Sequence, residues 1–168
     1  RIPFLPDEPC WKEYFTCLNT MQSVGCVPLI LFDCLFSDAN LTKRIKELRK
    51  SFPQAQYFEL FNELPHMPYP GQQMGSLSEL IIKTNDYCAL IKSLFPNAKV
   101  ISMAPANMLA EMKYTKEWGG DNTTQLKRLA YETTADIVGV HIYVNNWREK
   151  ARFKRLMKTM NGIKSGTG

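Results

Sequence analysis

The stretch Tyr57-Phe58-Glu59-Leu60-Phe61-Asn62-Glu63, followed by Leu64-Pro65-His66, has the composition of a buried β-strand but carries two carboxylates. Aromatic and aliphatic residues dominate it, and a proline soon ends it. The two-residue period of a strand places four residues on the carboxylate-bearing face: Tyr57, Glu59, Phe61 and Glu63. The other face holds Phe58, Leu60 and Asn62. Helices can therefore cover Phe58 and Leu60, and the carboxylate-bearing face must look into a more polar space.

The position of Glu63 at the end of this strand predicts the mouth of an active site. Ionised carboxylates are costly to bury, so an inward Glu63 needs a polar surrounding. A structural alternative remains open, in which Glu63 caps the next turn and Glu59 is ion-paired in a core.

The rest of the chain alternates predicted strands and helices, which indicates an α/β fold with parallel strands. Strands are predicted near 27–33, 57–63, 99–103 and 137–143, at intervals of 30 to 42 residues. Apolar helical stripes flank these strands, the first of them ending at Gly25, and Ser76 with Glu79 forms a capping-box signal for one helix. The carboxyl ends of these strands and their exits carry Asp33, Glu63, Asn107 and Tyr143, on one edge of a parallel sheet.

The composition indicates a globular protein, with 45% hydrophobic and 22% charged residues among 168. No apolar run reaches membrane length, and we expect no membrane partner. The net charge of +5 belongs to the tail, since 148–168 holds 7 basic residues and one acidic residue. Apolar residues recur there at helical spacing, so we predict a solvated helix face and no nucleic-acid partner.

Five cysteines and two histidines show no metal-ligand spacing, and we expect neither a metal nor a cofactor. The odd number of cysteines leaves the compartment undecided. Two glycosylation sequons, Asn40-Leu41-Thr42 and Asn122-Thr123-Thr124, are weak signs of secretion.

A second polar strand is predicted at Asp136–Tyr143, where Gly139, His141 and Tyr143 share one face. A histidine on an apolar strand is also commonly a satisfied core residue. Trp147 follows and is a candidate floor for a sugar subsite. Trp118, between charges and glycines, suits either a sugar-stacking platform or an aromatic loop anchor.

The run Phe58-Glu59-Leu60-Phe61-Asn62-Glu63 resembles the strand-four motif of glycoside hydrolase family 5, the cellulase and mannanase type of clan A barrel enzymes. The resemblance makes Glu63 the catalytic acid/base and Asn62 the residue that binds the hydroxyl next to the scissile bond. His141-Ile142-Tyr143 resembles the family's strand-six motif. There the histidine contacts the substrate or the acid/base, and the tyrosine contacts the nucleophile. Arg1 matches a strand-two arginine beside the nucleophile, although a loose terminal segment is equally open.

The resemblance implies a retaining glycoside hydrolase that acts on a β-linked polysaccharide or oligosaccharide of the β-glucan or β-mannan type. The chain would be one partial TIM (β/α)8 barrel, residues 1–168, of about four parallel strands, truncated at both ends and covering strands three to six. The family's nucleophile ends strand seven, and no Asp or Glu follows Glu149. We therefore expect the chain alone to hydrolyse no β-glucan or β-mannan, and a longer parent to do so. Its open sheet edges predict self-association, and the family habit predicts secretion.

Two alternatives belong to other classes of protein. One is a non-catalytic sugar-binding or interaction domain derived from the same barrel. The other is a small doubly wound domain of flavodoxin type, which needs a phosphate or acidic site at its first strand exit. Cys34-Leu35-Phe36-Ser37 has no glycine-rich cradle, so the sequence favours the barrel.

Overall fold

Strands and helices alternate along the chain in the computed structural model, which describes residues 2–4, 11–32, 38–61, 76–102, 122–140 and 150–165. The strands are β1 (Ile2–Phe4), β2 (Leu29–Phe32), β3 (Tyr57–Leu60) and β4 (Lys99–Ile101). The helices are α1 (Trp11–Ser23), α2 (Asp38–Ser51), α3 (Leu77–Leu94), α4 (Asn122–Glu132) and α5 (Lys150–Ser165). The predicted α/β class is confirmed.

The strands form one parallel sheet in which each strand pairs with its neighbour in sequence, in the order β1-β2-β3-β4. The pairing of β1 decides in favour of a strand at Ile2–Phe4 over a loose terminal segment. A doubly wound sheet of flavodoxin type reverses its strand order at one point. The sheet of the described residues has no such reversal, which disfavours that alternative.

The two faces of the sheet differ in what covers them. Ile30, Phe58 and Val100 lie in one row across the sheet, are fully buried, and belong to the main apolar core. The neighbouring row is Leu31, Glu59 and Ile101, which lie outside that core. The prediction that Phe58 and Glu59 lie on opposite faces is therefore confirmed.

Helices α1 to α4 all contribute to the apolar core on the Phe58 side of the sheet. Their buried residues include Leu18 of α1, Ile45 of α2, Ile91 of α3 and Leu129 of α4. Successive right-handed crossovers between neighbouring strands place their helices on the same side, which is the winding seen here. Within the described residues, the sheet is therefore wound in one direction only.

The local signals for helix ends are confirmed. Gly25 has φ +78°, a left-handed conformation that glycine adopts without a Cβ clash, and it follows α1. Ser76 caps α3 and receives a hydrogen bond from the Glu79 N–H, while Glu79 accepts one from the Ser76 N–H. The strands are shorter than predicted. Val27, for example, is 59% exposed and precedes β2.

The basic tail forms helix α5, as its apolar spacing predicts. Leu156 is buried against Leu126 of α4, whereas the basic Lys154, Arg155 and Lys158 are exposed. These exposed basic residues agree with a solvated helix face. None of the helices in the described ranges is long and apolar enough to cross a membrane. Strand β1 forms one edge of the sheet, and association through open edges stays a prediction.

Candidate functional site

The described segments that lead to the predicted site residues reach the carboxyl edge of the sheet, where the parallel strands all end. Strands β2 and β3 end in register, with Phe32 paired to Leu60. One further hydrogen bond joins them, because the Phe61 N–H donates to the Phe32 carbonyl at 2.8 Å. Strand β3 therefore ends at the edge where active sites of parallel α/β proteins form.

Phe61 turns the chain at this edge through an uncommon backbone conformation. Its φ is +54°, in the left-handed region that an aromatic residue rarely occupies. Its side chain is 3% exposed and belongs to the apolar core together with Leu60. The prediction that Phe61 shares the Glu59 face is thus wrong, because the turn breaks the two-residue alternation after Leu60.

The ring of Phe61 is held by helix α3. It meets the ring of Tyr87 edge-on, with centroids 5.8 Å apart. The Lys83 Nζ lies 5.7 Å from the centroid of the Phe61 ring, within the range of a cation–π contact. Helix α3 therefore fixes the side chain, while β2 fixes the backbone N–H of the same residue.

A second segment runs beside β4 toward the same edge. Ile137 forms a parallel bridge with Ile101. The Ile137 N–H donates to the Val100 carbonyl at 3.1 Å, and the Ser102 N–H donates to the Ile137 carbonyl at 2.8 Å. The Gly139 N–H then donates to Ser102 Oγ at 3.2 Å. The Ser102 hydroxyl thus takes the place of the backbone carbonyl that would accept this hydrogen bond in a regular sheet. The predicted strand at 137–143 is present in its described part, 137–140, only as this bridge.

Asp136 anchors the start of the second segment by three polar contacts. Its carboxylate accepts a hydrogen bond from the Val100 N–H at 2.9 Å. The ammonium groups of Lys92 and Lys99 lie 3.3 Å and 3.7 Å from its oxygens. Partial burial alone raises the pKa of the Asp136 carboxyl, but the Val100 N–H and the two lysines outweigh it and hold the pKa below its usual range.

Asn85 of α3 fixes the turn that precedes Asp136. Its Oδ1 accepts a hydrogen bond from the Thr134 N–H at 2.7 Å, and its Nδ2 donates to the Glu132 carbonyl at 3.0 Å. Lys92 donates to the Thr134 carbonyl at 3.2 Å. Helix α3 thus contacts both segments that lead to the candidate site.

The predicted site residues lie outside the described residues: Arg1, Asn62, Glu63, Trp118, His141, Tyr143 and Trp147. Their placement stays a prediction. The structure does show the direction of the chain at two residues that directly precede predicted site residues. Phe61 directly precedes Asn62, and Val140 directly precedes His141. Both segments run toward the carboxyl edge of one sheet.

Sequence reasoning missed the residues that hold these segments. No signal in the sequence marks Phe61 as a left-handed residue, because such turns normally show glycine or asparagine. The sequence predicts Asp136 only as the first residue of a strand, because its partners Lys92 and Lys99 lie far away in sequence. Among the described residues, no group of His, Cys, Asp and Glu side chains could hold a metal ion.

No family model, no curated protein and no solved structure matches the chain.

Proposed function

We propose that the chain is part of a retaining glycoside hydrolase of the partial TIM (β/α)8-barrel type, acting on a β-linked polysaccharide or oligosaccharide. Glu63 is the acid/base of this site, and Asn62, His141 and Tyr143 bind the sugar around it. The observation that carries the proposal is the common direction of the segments ending at Phe61 and Val140. Each leads into one of the two motifs that resemble family 5.

The winding of the sheet supports the barrel in this proposal. A (β/α)8 barrel has parallel strands in sequential order, with all its helices on the outer side. The described sheet has that order, and α1 to α4 pack on one face. The opposite face carries Glu59, which is 5% exposed, in a row with Leu31 and Ile101. In the proposal this row belongs to the barrel interior, below the sugar site.

The chemistry proposed for Glu63 is general acid catalysis. A retaining glycosidase protonates the leaving oxygen with one carboxyl group and attacks the sugar with another, about 5 to 5.5 Å away. The resemblance puts the attacking carboxylate on strand seven. The motifs that match in this chain belong to other strands. The proposal therefore assigns this chain the acid/base half of the reaction.

Sugar binding by the whole chain tests the proposal. The affinities of cellohexaose and mannohexaose are measured by titration calorimetry for wild type and for Glu63→Ala, His141→Ala and Glu13→Ala. Glu13 is exposed on α1 and serves as the control. We expect one hexasaccharide to bind, and each of the first two variants to weaken binding about tenfold, equal to about 1.4 kcal/mol. Glu13→Ala should bind as wild type does.

Two results would overturn the proposal. Either wild type binds neither hexasaccharide, or Glu63→Ala and His141→Ala both bind as tightly as wild type. Hydrolysis of soluble β-glucan and β-mannan is assayed on a longer parent protein that also carries the strand-seven glutamate. Turnover that persists in Glu63→Gln would remove the acid/base role. Sugar binding that depends on His141 but not on Glu63 would point to the non-catalytic sugar-binding domain.

A further inference from the structure

Phe61 combines a buried ring with a backbone conformation that core packing alone does not require. Its ring is buried to 3% exposure, as expected for an apolar core residue. Its backbone nevertheless lies at φ +54°, although Phe58 of β3 fills the same core without such a turn. Left-handed backbone at a residue with a bulky side chain is strained, and strain of this kind persists only where the surroundings enforce it.

The surroundings of Phe61 enforce the turn from two sides. Strand β2 holds the backbone, since the Phe61 N–H donates to the Phe32 carbonyl at 2.8 Å. Helix α3 holds the ring, with Tyr87 edge-on at 5.8 Å and the Lys83 ammonium at 5.7 Å. A return to extended backbone would move the ring away from α3 and toward the Glu59 face. The buried ring therefore acts as an anchor for the direction of the chain.

We infer that Phe61 is a positioning residue for Asn62 and Glu63, and this inference rests on the proposed function. The two residues follow Phe61 directly, so the torsion angles of Phe61 set the direction in which they leave β3. Phe61 itself contacts α3 and does not need to contact the sugar. The Phe61 ring, which packs on α3, thus controls the direction of Asn62 and Glu63 at the carboxyl edge of the sheet.

The test compares Phe61→Leu with Phe61→Ile. Both variants keep an apolar side chain of similar volume. Branching at Cβ makes left-handed backbone much less favourable for Ile than for Leu. We therefore expect Phe61→Leu to keep the turn and Phe61→Ile to lose it. Phe58→Leu and Phe58→Ile are the matched controls, because Phe58 lies three residues earlier in β3 and fills the same core in extended backbone.

Two quantities are measured on the whole chain: the backbone amide NMR signals of Asn62 and Glu63, and the affinities for cellohexaose and mannohexaose. Phe61→Ile should shift both amide signals and weaken binding about tenfold, whereas Phe61→Leu should stay within about threefold of wild type. Both Phe58 variants should lower thermal stability while leaving those signals and affinities in place. A role in core packing alone predicts that the two pairs behave alike.

Amide signals that are the same in Phe61→Ile and Phe61→Leu would overturn the inference, as would equal affinities of these two variants for a hexasaccharide that wild type binds. The result is separable from that of the proposed function. The proposed function fails if wild type binds neither hexasaccharide or if Glu63→Ala binds normally. The amide signals decide the role of Phe61 in either case, because they are recorded without sugar.

Discussion

The two segments that lead to the candidate site are attached to the sheet by opposite kinds of contact. The exit of β3 is held by an apolar anchor, the buried ring of Phe61 against Tyr87. The segment beside β4 is held by polar groups, with the Asp136 carboxylate between Lys92 and Lys99. The Asp136 side chain is 22% exposed, so water reaches the second attachment and not the first.

This difference separates two properties of a site. A buried aromatic side chain fixes a direction, because any rotation of the backbone removes it from its contacts. A partly exposed carboxylate fixes a register, because it pairs with one particular N–H, here that of Val100. The first attachment should therefore be costly to remove at any pH, and the second should depend on pH and salt.

The largest effects are expected from truncating Phe58 of β3 and Phe61 at the exit of this strand. Phe61→Ala and Phe58→Ala should each lower the free energy of unfolding by about 3 to 5 kcal/mol. Replacement by glycine separates them. At position 61 glycine relieves the left-handed backbone and should be more stable than alanine by about 1 kcal/mol. At position 58 it should be less stable than alanine by about 0.5 to 1 kcal/mol.

Urea denaturation of the four variants measures these differences. The comparison between alanine and glycine does not depend on the ring, since both lack it. If the glycine variant is less stable than the alanine variant at both positions, residue 61 does not have a left-handed backbone. The distinction between the two attachments would then fail.

An intermediate effect is expected for Asp136→Asn, which keeps the shape of the side chain and removes its charge. The free energy of unfolding at neutral pH should fall by about 1 kcal/mol, discounted for solvent exposure. Because the pKa of Asp136 is lowered on folding, its contribution is complete above the unfolded value of about 3.9. The contribution is lost as the pH falls through the folded pKa.

The variant and wild type should therefore differ by a constant amount at neutral pH, and this difference should shrink below about pH 4. Thermal unfolding at a series of pH values measures it, with Glu13→Gln as the control for an exposed carboxylate. A difference that stays constant down to the lowest pH would show that the charge of Asp136 does not hold the segment.

The smallest effects are expected for two lysines of α3, one in each attachment. Lys83→Met removes the cation over the Phe61 ring and should cost about 0.5 kcal/mol. Lys92→Met removes a partner of Asp136 and should cost a similar amount at low salt. Denaturation with and without 1 M salt distinguishes them, since salt screens the ion pair of Lys92 with Asp136 and should reduce the loss at Lys92. Losses that respond to salt identically would contradict two separate attachments.

Much of the fold follows from local patterns in the sequence. The stripe that ends at Gly25 predicts α1, Ser76 with Glu79 predicts the start of α3, and the alternation of Phe58 and Glu59 predicts their faces. These features depend on neighbours within one element, where the periods of 2 and 3.6 residues apply. The sequence therefore predicts the parallel α/β class and the edge at which the strands end.

The attachments could not be predicted in the same way. The turn at Phe61 depends on Tyr87 and on the Phe32 carbonyl, and the anchor at Asp136 depends on Lys92 and Lys99. These contacts join residues that are distant in sequence, and no period marks them. The pairing within 137–140 also escaped prediction, because these residues indicate a strand whether one bridge or a full ladder forms.

The most direct test of the account is a double-mutant cycle in sugar binding between Glu63→Ala and His141→Ala. Titration with the hexasaccharide that binds wild type gives the four affinities. If the segments ending at Phe61 and Val140 bring both motifs to one site, the losses should be non-additive, with a coupling energy of about 0.5 to 3 kcal/mol. Losses that add within about 0.3 kcal/mol would show that the two residues act apart, and would contradict a single site at this edge of the sheet.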